Sequence, residues 1–341
     1  MKTVWEYSIK NEAERLVHCA HQIIVGFYRT NNFIVLPYNP NSNNTQVVSF
    51  PFLPYTEIPR FWEQAKKVNV NDLLIADNQK LVESVLTYIQ KASLKKPSFE
   101  ATKKLWAKVE SKVLSEIYKV LPSKKDKVKK IIIFPTVFGT SCSFSWVDST
   151  GTVYIYLRDD QGIYAITEAI ITSLTRKDVY DKLEGVWAES EIITDYLVTE
   201  TSIAKVLQKY ENAQNYIPTL KGVRVKQQAK LLSESDDFYV KLGIPSFTKP
   251  FSLNGLIPEI NKTPIDNLNI KERLILKRLI EKANLIVTFD ELADELFNDE
   301  NDFSLYAIAK TIQRLRDKLE TNGISGSYIQ TLRGKGYLLK N

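Results

Sequence analysis

The sequence predicts a multidomain α+β chain, with a large mixed N-terminal domain followed by a small C-terminal domain of three helices and a β-hairpin. Three observations support this. A chain of 341 residues is longer than one domain usually runs. Hydrophobic residues at 44% and aromatics at 11% suffice to build cores, which excludes a disordered polymer. Apolar spacing mixes strand-like and helix-like stretches through the N-terminal part, then settles after Ile265 into three helical stripes and two short strands. The expected division is a regulatory or assembly domain at 1–253, a linker at 254–264 and the C-terminal domain at 265–341.

The net charge of +6 and a pI near 8.9 are mildly basic, which permits a nucleic-acid partner without requiring one. Cys19 and Cys142 offer neither a disulfide framework nor a ligand pair, so both are expected as reduced core residues. The opening MKTVWEYSIKNEAERL lacks a signal peptide's basic start and apolar core, and no apolar run reaches the ~18 residues that span a bilayer. A cytoplasmic protein with no membrane partner is expected.

Taken in order, a short strand at 3–7 precedes a helix over 11–28, whose apolar face is Ala13, Leu16, Val17, Ala20, Ile23, Ile24 and Phe27. His18 and His21 sit on it at i, i+3, but a metal needs further ligands and the sequence nearby supplies none. No metal or other cofactor is expected. Residues 33–59 read as strand, loop, strand around the polar insert PNPNSNN, and helices follow at 71–93 and 98–121, the second capped by Ser98. Strands are expected at KIIIFPTVFG and at 151–157. Lysines crowd this region: Lys95, Lys96, Lys103, Lys104, Lys108, Lys112 and the run PSKKDKVKK over 122–130. They read as a solvated face, with auxiliary phosphate contact as the alternative.

In the middle of the chain, VYIYLR leads into a helix bearing TEAIITSL at 167–174, and a second helix, VWAESEIITDYLVTET, follows at 186–201. This order, over about 131–211, resembles the core of gluzincin-type metallopeptidases, which is an edge strand, an HExxH helix and a later helix with a glutamate ligand. The resemblance sets Glu168 at the general base, Thr167 and Ile171 at the two histidines, and Glu189 or Glu191 at the third ligand. Thr and Ile cannot replace imidazoles on zinc, so the expectation is an inactive, metal-free zincin-like fold or an unrelated α+β fold, with no catalysis in either case. Helices at 202–211 and 221–235 follow, before Pro245, Pro250, Pro258 and Pro264 break the pattern.

After the linker, a helix begins near Asn269 with Leu274, Leu276, Leu279 and Ile280 inward. Thr288 and Glu291 make a T-x-x-E capping box for a second helix carrying Leu292 and Leu296. Asp302 or Ser304 caps a third, SLYAIAKTIQRLRDKL, which stops near Asn322-Gly323. Its apolar stripe is Leu305, Ile308, Ile312, Leu315 and Leu319, opposite Tyr306, Lys310, Gln313, Arg314 and Asp317. YIQTL and YLL are strands joined by RGKG, whose glycines allow a tight hairpin displaying Arg333 and Lys335.

Four ordered motifs, LNIKERLIL, VTFDEL, IQRLRDKL and IQTLRGKGYLL, resemble those of OmpR/PhoB-type winged-helix effector domains. The resemblance implies that the third helix (304–320) enters the major groove of duplex DNA with Tyr306, Lys310, Thr311, Gln313 and Arg314 facing it. The wing (332–337) would then set Arg333 at the minor groove. Arg314 and Gln313 are equipped to read guanine and adenine edges, while Lys310, Lys335 and Thr311 suit phosphates. For Arg316 and Lys318, on the packed flank, structural bonding and recognition stay equally open. From Lys310 to Asn341 seven basic residues face two acidic ones, a local +5.

The sequence departs from the family at Phe289, often Arg there, at Phe297, often Trp, and in the acidic NDENDF loop where members meet RNA polymerase. Upstream there is no receiver-like alternation of strands and helices, and neither Asp159-Asp160 nor Asp236-Asp237 follows an apolar strand in receiver order, so phosphorelay control is not expected. The expected function is sequence-specific binding of double-stranded DNA by a transcription regulator with an N-terminal sensor or assembly domain. RNA polymerase, a second copy of the chain, and a small-molecule or peptide ligand are the further partners considered. The alternatives are a metallopeptidase-like enzyme or a protein-interaction module carrying a winged helix.

Overall fold

The computed structural model describes residues 3–37, 47–68, 79–91, 96–183, 185–211, 229–244, 249–296 and 304–341. The chain divides into two compact units, each assembled from separated stretches. The first comprises Met1–His21, Asn32–Asp178 and Ala188–Ile244, and the second Gln22–Asn31, Val179–Trp187 and Pro245–Asn341. No helix among the described residues is long and apolar enough to cross a membrane.

In chain order the elements up to Ile244 are β1 (Thr3–Trp5), α1 (Ile9–Ile24), α2 (Phe27–Thr30), β2 (Ile34–Leu36), β3 (Val47–Ser49), α3 (Pro59–Ala65), α4 (Gln79–Lys91) and α5 (Glu100–Val120). Then come β4 (Lys130–Thr136), β5 (Cys142–Val147), β6 (Thr152–Arg158), α6 (Ile163–Leu183), α7 (Trp187–Glu200), α8 (Ser202–Leu207) and α9 (Ala229–Leu242). The main sheet of the first unit has the order β1-β4-β6-β5. The first three strands are parallel, in the register Thr3↔Ile131↔Val153, and β5 closes the edge antiparallel with Cys142↔Leu157. Parallel strands are covered on both faces, which explains the unbroken apolar run in β4. Ile131 and Ile133 pack with Trp106, Val109, Val113 and Ile117 of α5 and with Ile166 and Ile170 of α6, while Ile132 and Phe134 pack with Tyr156 on the other face.

Several expectations shift. The helix expected over 11–28 breaks at Gly26, whose φ of 81° only glycine adopts freely. Ser98 does not cap α5, since the capping position is Phe99 and no side chain bonds there. The insert at 38–46 and the early parts of the helices expected at 71–93 and 221–235 lie outside the described residues. β6 runs inside the sheet between β4 and β5, where the peptidase pattern calls for an edge strand.

The second unit carries β7 (Phe251–Asn254), β8 (Ile257–Ile260), β9 (Thr263–Pro264), α10 (Ile270–Glu281), β10 (Ile286–Thr288), α11 (Phe289–Leu296), α12 (Leu305–Thr321), β11 (Ile329–Leu332) and β12 (Gly336–Leu339). The stretch expected as a linker at 254–264 is an antiparallel meander, β7-β8-β9, in which Phe251 and Ile260 join the same core as Ile275, Ile312 and Leu315. Its prolines are tolerated because the bonds that matter use their carbonyls: Pro258 accepts from Ile265 N at 3.2 Å and Pro250 from Asn261 N at 2.7 Å. Gln22–Asn31 belongs to this unit by contact. Val25 O accepts from Ser325 N at 3.0 Å, Thr30 O accepts from Lys340 Nζ at 2.8 Å, and Phe27 packs edge-on against Trp187 at 5.6 Å. A side chain at Gly26 would run into the Tyr328 hydroxyl, 2.6 Å from the Cβ position.

Candidate nucleic-acid interface

The helix α12 starts where Ser304 Oγ accepts from Ala307 N at 3.3 Å, and stops at Asn322 with Gly323 following at φ 74°. Asp302, the other candidate cap, lies outside the described residues, as does the NDENDF loop. Ile308, Ile312, Leu315 and Leu319 are fully buried, so the helix cannot roll, and its opposite face is committed to solvent. That face presents Tyr306, Lys310, Gln313, Arg314 and Asp317. Lys310 Nζ sits 5.7 Å from the Tyr306 ring centre, one turn away, and the Gln313 amide donates to Asp317 Oδ1 at 3.0 Å.

Thr311 is a correction: it is buried, and its hydroxyl donates to Ala307 O at 2.7 Å, so it is not presented with its neighbours. Position 311 falls beside Ile308 and Ile312 on the turn, and a short β-branched side chain there is covered by the core. The two residues left open on the flank are structural. Arg316 is buried and donates from Nε and Nη2 to Ile329 O at 3.1 and 3.0 Å, and from Nη2 to Thr331 Oγ1 at 2.8 Å, which fastens α12 to β11. Lys318 donates to the Glu272 carboxylate and to Asn267 O, at the start of α10.

The wing is a three-stranded sheet in the order β10-β12-β11, and β10 is a strand the sequence reading missed. Leu332 and Gly336 pair across RGKG, which leaves Arg333, Gly334 and Lys335 exposed at the tip. Gly336 has φ 141°, and a Cβ there would lie 2.0 Å from Val287 O, so the close approach of β10 requires glycine. The expected capping box forms: Thr288 Oγ1 accepts from Glu291 N at 3.2 Å and Glu291 Oε2 accepts from Thr288 N at 3.1 Å. Glu291 also receives Lys282 and, at 3.0 Å, Arg278 of α10. The Lys282 hydrogen bond first, then the Thr288 N–H, pull its carboxyl down to about 2. A cleft lined by Ile286, Thr288, Phe289, Asp290, Gly334 and Lys335 runs beside the wing tip.

The other constellations do not assemble into a site. Thr167 donates to Ile163 O at 2.8 Å inside α6, Ile171 is in the core, and Glu191 is buried in an ion pair with Arg176 at 3.0 Å. Glu168 is buried on α6, and Glu189 lies in the first turn of α7. His18 Nδ1 accepts from Arg15 Nη1 at 2.8 Å while His21 Nδ1 donates to Ala65 O at 2.9 Å, so the two rings serve different partners. Among the described residues no group of three or more His, Cys, Asp or Glu is placed to hold a metal ion.

Comparison with known proteins bears on the second unit alone. Residues 265–339 match the family described as "Transcriptional regulatory protein, C terminal". Over 73 residues the chain is 44% identical to the "Sensory transduction protein BceR" of Halalkalibacterium halodurans and 42% identical to that of Bacillus subtilis. It is 41% identical over 71 residues to the "Response regulator protein GraR" of Staphylococcus haemolyticus. Each alignment covers 21% of this chain and 31% of the relative, so the chain spans about a third of the length of the curated relatives it matches. No solved structure matches. Residues 265–339 thus belong to the OmpR/PhoB-type C-terminal domains of transcriptional regulatory proteins, an assignment that covers about a fifth of the chain.

Proposed function

We propose that the protein is a sequence-specific regulator that binds double-stranded DNA through α12 and the wing. The observation that carries this is the division of α12 into a fully buried face and an opposite face displaying Lys310, Gln313 and Arg314, within the segment that matches the effector family. On this reading α12 lies in the major groove, with Arg314 bidentate to guanine and Gln313 to adenine once its bond to Asp317 is exchanged for the base edge. Lys310, Tyr306 and Lys335 hold phosphates, and Arg333 enters the minor groove. Thr311 takes no direct part.

The relatives' names speak of sensory transduction and response regulation. For this chain we read the first unit as the part that senses or assembles, without catalysis, and a second copy of the chain and RNA polymerase as its protein partners. Selection of genomic fragments on the purified full chain tests the proposal. Recovery of a recurrent motif supports it, and failure to retain any duplex at low salt overturns it.

A further inference from the structure

The positive charge of this chain is not where its DNA-reading domain is. Residues 265–339 carry eleven basic and twelve acidic side chains, a net −1, although the reading face itself is basic. Residues 96–130 of the first unit carry eleven lysines against four acids, a net +7, which exceeds the +6 of the whole chain. Neutralising phosphates supplies essentially all of sequence-independent DNA affinity and a large share of specific affinity, and a nearly neutral effector domain leaves room for that work to be done elsewhere.

The structure sets four of these lysines on one face of α5 and exposes four more in the turn that follows it. At 100° per residue, Lys104, Lys108, Lys112 and Lys119 fall within an arc of about 80°, nearly opposite the buried Trp106, Val109, Val113 and Ile117. Lys104 and Lys119 are separated by about 22 Å along the axis, a length that parallels some six phosphates of one strand at ~3.4 Å each. The chain then turns through Pro122–Lys124 into β4, and this turn exposes Lys125, Lys127, Lys129 and Lys130.

Some lysines of the segment, Lys112 and Lys119 of the helix face among them, already have partners. Lys103 pairs with Glu100 at 3.7 Å, Lys119 with Glu116 at 2.5 Å, Lys124 with Asp178 at 2.6 Å, and Lys112 donates to Tyr210 Oη at 2.7 Å. Lys104, Lys108, Lys125, Lys127, Lys129 and Lys130 have no side-chain partner among the described residues. None of the exposed large apolar side chains lies in 96–130, so the segment lacks the wedge that enters a membrane and the aromatic platforms that stack single-stranded bases.

We infer that α5 and the turn after it form a second, sequence-independent DNA surface, which grips the phosphates of duplex flanking the site read by α12. The inference rests on the proposed function, since it takes duplex DNA as the partner. The test uses the full chain with six Lys→Gln changes at 104, 108, 125, 127, 129 and 130. Binding to a 40-bp mixed-sequence duplex is followed between 50 and 200 mM salt, beside a single-stranded oligonucleotide and phosphatidylserine vesicles.

Each phosphate contact contributes about 0.9 to the slope of log K against log salt. The sixfold variant should lose ~3 to 5 of that slope and more than tenfold in duplex affinity, with the sequence preference kept. The corresponding Lys→Arg variant should restore both. A slope within one unit of the parent, or loss of single-strand or vesicle binding with duplex binding intact, overturns the inference. If the slope falls while R314A leaves sequence preference untouched, the second surface stands and the proposed reading helix fails. If R314A erases preference and the sixfold variant keeps its slope, the reverse holds.

Discussion

Arg316→Ala separates the structural arginine of α12 from Arg314, the one proposed to read DNA. The guanidinium is buried and makes three bonds, two to Ile329 O and one to Thr331 Oγ1, that tie α12 to β11. Hydrogen bonds from a charged donor contribute about 1.5–3 kcal/mol, and truncation also removes a buried donor from the Ile329 carbonyl. The three bonds share one rigid fork and are lost together, so the expected cost is about 2–4 kcal/mol rather than three separate losses. By contrast Arg314 is exposed, and Arg314→Ala should leave stability within about 0.5 kcal/mol while costing ~1–3 kcal/mol of discrimination at one base pair. Amide hydrogen exchange over β11 and β12 reads the local opening free energy. In Arg316→Ala the wing amides should exchange about 30- to 700-fold faster, and in Arg314→Ala at the parental rate. Wing exchange within threefold of the parent in Arg316→Ala refutes the clamp. A wing loosened equally by Arg314→Ala refutes the separation of the two roles.

Gly336→Ala should distort the wing, because its Cβ would fall 2.0 Å from Val287 O at a φ of 141°. A loss of ~2 kcal/mol or more is expected by thermal unfolding, with DNA affinity falling alongside. Glu291 has a carboxyl held at about 2 by Lys282, Thr288 N–H and Arg278, below its unfolded value. The stability it contributes is complete above pH 4.5 and is lost as pH falls toward 2, so Glu291→Gln should flatten urea-unfolding stability across that window relative to the parent. Glu12 behaves oppositely. Burial first, against the bond from Val137 N, raises its carboxyl to about 8. The native state therefore holds a proton that the unfolded state has lost, and stability falls as pH rises from about 4.5 to 8; Glu12→Gln should remove that slope.

Local chemistry made much of the second unit legible. The Thr288–Glu291 box, the stripe from Ile308 through Ile312 and Leu315 to Leu319, the Asn322-Gly323 stop and the RGKG turn each depend on residues close in sequence, and all are present; Leu305, expected at the head of that stripe, is exposed instead. The first unit was legible in outline because β4 is apolar without interruption, as a doubly covered strand must be. β5 and β10 were missed. A half-buried edge of six residues and a strand of three carry little pattern of their own, and exist because β6 and β12 are there to pair with them. The prolines of 254–264 argued for a linker, and they do exclude helix; what they do not exclude is a meander whose carbonyls carry the bonds.

By itself the sequence determined the three helices and the hairpin of residues 265–341, the kinship of residues 265–339 and the set of cations near α12, because periodicity, caps and turn glycines act over one or two turns of chain. Only the tertiary structure decided the residues at the edge of that helix's outward face. It buried Thr311, committed Arg316 to Ile329, and drew Gln22–Asn31 and Val179–Trp187 into the second unit. Each of these outcomes depends on partners remote in sequence, whose burial and bonding no local pattern records.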